Sequence, residues 1–165
     1  MEILGIDPGT LQSAYVLWDG TKLKSFGIVP NDNFLDWARN TTEQIDFVAL
    51  EAIQSMGMAV GQEVFDTVRL VGRLQEIFHL RGVPLRLVYR REEKLHHCLS
   101  PRANDSNIRQ ALIDRFGAPG TKKAPGRTFG LKKDIWQAFG IGVLGFDKLE
   151  AGEWALNGLD PVPAS

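Results

Sequence analysis

Apolar and polar positions along the chain change rhythm twice, predicting strands first and helices after them. Ile3, Leu4 and Ile6 form a short apolar run that breaks at Pro8-Gly9, the pattern of a buried strand. SAYVLW (13–18) reads as a second strand, Asp19-Gly20 as a two-residue hairpin turn, and residues 22–29 as a third strand ended by Pro30. A short helix over 33–39 carries Phe34, Leu35 and Ala38. FVAL (47–50) is apolar without alternation, as expected of a strand covered on both faces.

A long helix is predicted over 62–80 with two stripes, Val64, Val68, Val71 and Phe78 on one side and Leu70, Leu74 and Ile77 on the other. Two stripes imply burial on two sides. One packs on the sheet; the other either faces a second subunit, with Gly72 allowing close approach, or belongs to a thicker single core. LRLVY (85–89) alternates as a fifth strand with Arg86 outward, and His96, His97 and Cys98 read as ordinary strand or loop residues. Asp105 or Ser106 caps a helix carrying Ile108, Ala111, Leu112 and Phe116 and stopped by Gly117, so that Arg109 and Arg115 project outward. Ile135, Ala138, Phe139, Gly142, Val143 and Phe146 recur at helical spacing in a last helix, and 149–165 reads as a mobile tail with Trp154 docked. The expected organisation is one domain over 1–148 followed by that tail.

Composition adds limits. The 165 residues suit one domain with a sizeable core, and 44% hydrophobic with 24% charged residues is ordinary for a globular protein. No run approaches the roughly 18 apolar residues of a membrane span, and Glu2 and Asp7 argue against a signal peptide, so a cytoplasmic protein is expected. Cys98 is alone, which leaves no internal disulfide. The net charge of −1 conceals an asymmetry: residues 81–133 hold 13 of the 19 Lys and Arg but four of the 20 Asp and Glu, a charge of +9 against −10 elsewhere. A basic face of that kind fits a phosphate backbone. Residues 118–130, rich in Gly and Pro and carrying Lys122, Lys123 and Arg127, read as a phosphate-facing loop.

Three acids carry the candidate chemistry. Asp7 closes the first apolar run and Glu51 closes the fourth, so adjacent strands would bring both carboxylates to one sheet edge. Two such groups repel unless a cation or proton lies between them, and oxygen ligands suit Mg²⁺ or Mn²⁺. Asp134 opens the last helix. Each has a plainer alternative: Asp7 as the cap of its own turn, Asp134 as a helix cap.

The order of parts, a three-strand meander opening on an acidic strand, a fourth strand ending in Glu, a long helix, a fifth strand and a final helix led by Asp, resembles the RNase H-like fold. That is an α/β fold with a five-stranded mixed sheet, an antiparallel meander plus parallel strands, flanked by helices. GIDPG (5–9), LE (50–51) and DIWQAFGIGV (134–143) resemble RuvC-type Holliday junction resolvases, and RANDSNIRQALIDRFG (102–117) with GTKKAPG (120–126) resembles their phage-encoded branch, over residues 2–146. The resemblance implies a homodimer, formed through the helix at 62–80, that nicks opposed strands of a four-way DNA junction. Asp7, Glu51 and Asp134 match the family's first three acids. Two Mg²⁺ ions about 4 Å apart, with Mn²⁺ able to substitute, would activate the attacking water and stabilise the leaving 3′ oxygen. The products would keep 5′ phosphate and 3′ hydroxyl ends.

The fourth acid of the family site falls at Gln137, whose carbonyl can contact a metal but brings no charge. Asn104 stands where the phage branch has Lys, and Lys122, Lys123, Lys132 or Lys133 can compensate. The expected DNA contacts are Arg102, Arg109, Lys122, Lys123, Arg127, Lys132 and Lys133. Gln54, Met56 and Met58 are candidates for the wedge that opens the junction. Three other readings follow from the same residues. A nuclease for flaps or forks would need the same acids. A junction-binding protein without cleavage would not need them, and Gln137 supports it. An actin-like or sugar-kinase ATPase shares the strand-Asp-Gly-Thr loop but needs two domains, for which 165 residues are too few.

Overall fold

In a computed structural model that describes every residue except 55, 56, 58 and 157–165, one five-stranded sheet organises the chain. In chain order the elements are β1 (Ile3–Pro8), β2 (Gln12–Trp18), β3 (Leu23–Pro30), α1 (Asn31–Asn40), β4 (Phe47–Ala52), α2 (Gln62–Leu80), β5 (Leu85–Tyr89), α3 (Arg90–Cys98), α4 (Asp105–Phe116) and α5 (Ile135–Glu150). The strand order is β3-β2-β1-β4-β5, with β1, β2 and β3 antiparallel and β1, β4 and β5 mutually parallel. This is the RNase H-like arrangement that the sequence resembles.

Alternation along β1 divides the core. Leu4 and Ile6 join Val48 and Leu50 on one face, under Phe34 and Leu35 of α1 and Leu70, Leu74 and Phe78 of α2. Ile3, Phe47 and Ala49 face the other way, onto Ile141 and Leu144 of α5. The α5 face also carries Gly5 and Asp7, because side chains two apart share a side of a strand. Gly5 is required there: a Cβ would lie 2.2 Å from the Ala138 carbonyl oxygen and 2.6 Å from the Gly142 nitrogen. Helix α5 therefore rests directly on the backbone of β1, and every residue from Ile135 to Gly145 is buried.

Several local expectations are corrected. The β2–β3 connection is a four-residue loop, since Trp18 pairs with Leu23. Asp19 builds it by accepting hydrogen bonds from the Thr21 and Lys22 backbone amides and the Thr21 hydroxyl, an Asx turn that replaces the tighter hairpin. Residues 90–98, including His96, His97 and Cys98, form helix α3 instead of strand or loop. The cap of α4 is Asn104, not Asp105 or Ser106; it exchanges side-chain and backbone hydrogen bonds with Asn107 in a capping box. Arg115 does not project freely: it forms a bidentate pair with Asp147 at 2.6 and 2.8 Å. On α2, a Cβ at Gly72 would meet nothing within 4 Å among the described residues. Leu70, Val71, Leu74, Ile77 and Phe78 are buried, while Phe65 and Val68 are about half exposed.

The domain boundary expected after residue 148 lies inside α5, which reaches Glu150. Beyond it Trp154 is buried, stacked on Phe47 at 5.8 Å with the Arg86 guanidinium 4.5 Å over its ring. Residues 157–165 of the expected tail lie outside the described residues. No helix among the described residues is long and apolar enough to cross a membrane.

Candidate active site

Parallel pairing of β1 with β4 sets Ile6 opposite Leu50, and the next residues in register are Asp7 and Glu51. Both carboxylates therefore stand at one end of the sheet on the α5 side. β4 continues to Ala52, so Glu51 lies within the strand and not at its last position. The loop after Asp7 is held by Asn31, whose side-chain amide donates to the Gly9 and Thr10 carbonyls, while the Ser13 hydroxyl donates to its oxygen.

The Asp7 carboxyl stands beside that of Glu51 and is largely buried. Burial pushes its pKa well up, and the negative charges of Glu51 and Asp134 push the same way, with Arg90 opposing. A carboxylate held so far from its ordinary range needs a proton or a cation beside it, which makes the Asp7–Glu51 pair a fitting place for a hard divalent ion. Among the described residues, no three Asp, Glu, His or Cys side chains already close into a metal-holding group. The reason lies in Asp134 and Arg90. Asp134 is exposed at the start of α5, within electrostatic reach of Asp7, and its side chain makes no cap bond to the helix. Lys133, immediately before it, adopts the left-handed conformation at φ 49° that non-glycine residues seldom take, turning the chain into the helix.

Arg90 was not anticipated from the sequence. It begins α3 directly after β5, and its Nη1 donates to Gln137 Oε1 at 2.9 Å and approaches Glu51 Oε1 at 3.3 Å and Glu93 Oε2 at 3.4 Å. Its Nη2 meets Asp105. Gln137 thus faces the site, but its carbonyl is taken by a guanidinium. Glu93 is completely buried, and among the described residues its Oε1 has no hydrogen-bond partner. Burial raises its pKa to about 8; the Arg90 charge opposes the shift and that of Glu51 adds to it. The register contained the missing signal: Val88 of β5 pairs with Glu51, so the first residues after β5 reach the same sheet edge.

A cleft of about 560 Å³ opens beside this cluster, lined by Pro8, Glu51, Gln54, Arg90, Arg91 and Lys94 among others. The expected DNA contacts Arg102, Arg109, Lys122, Lys123, Arg127, Lys132 and Lys133 are all exposed. Arg109 lies 5.1 Å over the Trp136 ring. Lys122, Lys123 and Arg127 occupy the loop between α4 and α5, which is pinned by a bridge between Gly120 and Pro125 and leads directly to Asp134. Of the wedge candidates, Gln54 is exposed at the rim of the cleft, whereas Met56 and Met58 lie outside the described residues.

The strand order and the helices packed on the sheet make up a fold that solved structures share. Among solved structures, the chain is similar to Thermus thermophilus RuvC, at 15% identity with a TM-score of 0.69 over 92% of this chain and 97% of that one. It is similar to T. thermophilus RuvC in complex with its Holliday junction substrate, at 15% identity and a TM-score of 0.68 over 92% and 96%. The Fowlpox virus resolvase in complex with Holliday junction DNA matches at 16% identity and a TM-score of 0.57 over 90% and 99%. No protein-family model and no curated protein sequence matches the chain.

Proposed function

We propose that the protein is a divalent-metal-dependent endodeoxyribonuclease that resolves four-way DNA junctions as a homodimer. The observation that carries this reading is the convergence of Asp7 and Glu51 at one sheet edge, with Asp134 opening the helix packed against it, in a fold shared with two junction resolvases. Asp7, Glu51 and Asp134 would hold Mg²⁺ or Mn²⁺. The chemistry such an ion supplies is polarisation of the scissile phosphate and a lowered pKa for water.

The chain's own groups do the rest. Asp7, buried beside Glu51, would hold the ion as a carboxylate, so ion binding there would be coupled to its ionisation. Lys132 and Lys133 immediately precede Asp134, and the loop bearing Lys122, Lys123 and Arg127 follows the DNA backbone toward it. Their contacts are electrostatic and select for duplex arms, not for base sequence. The half-exposed Phe65 and Val68 on α2 supply the apolar face on which a second copy docks. Two sites in one symmetric dimer account for paired nicks on opposed strands.

One feature favours a second reading, a junction-binding protein without cleavage: Gln137 brings no charge and its carbonyl already accepts from Arg90. Incubating the protein with end-labelled four-way junctions, flaps, forks and linear duplex in Mg²⁺ or Mn²⁺ separates the readings. Resolution predicts preferential cleavage of the four-way junction. Faster cleavage of flaps or forks assigns a different branched substrate, and junction binding without cleavage in either metal assigns the non-catalytic role.

A further inference from the structure

Arg90 Nη1 is the focus of three oxygens from three elements: Glu51 of β4, Glu93 of α3 and Gln137 of α5. Oxygens converging on one point from separate elements are the arrangement of a cation site, and here the cation is a side chain. From this we infer that the Arg90 guanidinium fills the second cation position of the site, so that each chain takes one divalent ion, at Asp7, Glu51 and Asp134, instead of two. The inference rests on the proposed metal-dependent reading of those acids.

The donor set agrees with a guanidinium. A hard dication favours carboxylates, whereas a neutral amide oxygen is a sufficient acceptor for a guanidinium N–H. Gln137, a neutral acceptor at the position, and Arg90, a monovalent cation in place of a divalent one, are thus two halves of one exchange. Arginine suits the role because it stays protonated at all working pH values and directs its donors in a fixed planar fork. That fork is anchored at its other end, where Nη2 meets Asp105 at the first turn of α4.

Glu93 supplies the independent observation. Its carboxyl is fully buried, Oε1 has no hydrogen-bond partner among the described residues, and Oε2 faces Arg90 from one helical turn away. Gly140 leaves room for it, since a Cβ there would come within 2.6 Å of Oε1. A buried acid aimed at the second cation position is thus present, but it comes from α3 and not from position 137. With Arg90 between Glu93, Gln137 and Glu51, a second dication would have to displace a charge already satisfied by all of them.

The test is the number of Mn²⁺ ions bound per chain, read by electron paramagnetic resonance on the full-length, DNA-free protein. The native protein is expected to bind one ion, and Arg90→Lys, which keeps a positive charge, one as well. Arg90→Ala combined with Gln137→Asp is expected to bind two, because it opens the position and restores its charge. Two ions in the native protein, or none, overturns the inference whatever the variants do. A folded double variant, checked by circular dichroism, that still binds one ion also overturns it. The outcome is separable from that of the nuclease reading: one ion without junction cleavage removes the nuclease and keeps the assignment of Arg90, while cleavage with two ions does the reverse.

Discussion

Replacing Gly5 with Ala probes the contact that sets α5, and with it Asp134 and Gln137, against the strand carrying Asp7. The added methyl would stand 2.2 Å from the Ala138 oxygen, 2.6 Å from the Gly142 nitrogen and 2.8 Å from the Gly142 Cα. All three are backbone atoms of a buried helix, so no side chain can rotate out of the way. Restoring an ordinary contact of about 3.5 Å requires α5 to retreat by roughly 1 Å. The helix is buried from Ile135 to Gly145, so the retreat loosens packing along its length. Overpacking typically costs about 1–3 kcal/mol, and the rigidity of the obstructing atoms places Gly5→Ala at the upper end. With a urea dependence of roughly 2 kcal/mol/M, the unfolding midpoint should fall by about 1.5 M. Urea titration followed by circular dichroism reads this directly. A loss below about 0.5 kcal/mol, the range of an ordinary surface change, would refute the argument that α5 is seated on the β1 backbone.

Three further outcomes follow. His97 is held neutral by burial, which lowers its pKa from 6.5 to about 4, with a compensating bond of 2.9 Å between Nε2 and the Gly140 carbonyl. The unfolded chain then binds more protons than the folded one between these values, so stability is full above about pH 6.5 and falls, by roughly 3 kcal/mol, as pH drops to 4. The urea midpoint of His97→Gln should lose that part of the pH dependence; an unchanged slope would contradict it. Phe65→Asp with Val68→Asp should convert a dimer to a folded monomer in size-exclusion chromatography with light scattering, and a native protein that is already monomeric would remove α2 as the interface. Replacing Lys122, Lys123 and Arg127 with Ala should reduce the salt slope of junction binding by up to about 0.9 for each phosphate that is no longer neutralised; an unaltered slope in filter binding would take the loop off the DNA.

The strands that hold Asp7 and Glu51 were legible in the sequence because a strand covered on both faces leaves an uninterrupted apolar run, and the carboxylate closing each run is conspicuous against it. Helix α5 was legible from its spacing, and Gly5 and Gly142, which let it touch β1, lie inside two of the motifs that carried the resemblance. Helix α3 was not legible, since the one residue it buries completely is Glu93 and no apolar stripe marks it. Arg90 was lost for the same reason. In RREEK it reads as one more charge of a basic segment, and only the pairing of β5 with β4 brings it to Glu51. The Asn104 cap was misplaced because Asn104, Asp105 and Ser106 can each accept the same backbone bonds, and the choice among them is made by packing.

The most direct test of the central claim is single-turnover cleavage of a four-way junction labelled on each strand in turn, with native protein and Asp7→Asn side by side in Mg²⁺. The account predicts paired nicks at symmetric positions on two opposed strands, with 5′ phosphate ends, and none with Asp7→Asn although the junction is still bound. Equal cleavage by the two proteins, or binding by the native protein with every strand left intact, would contradict it.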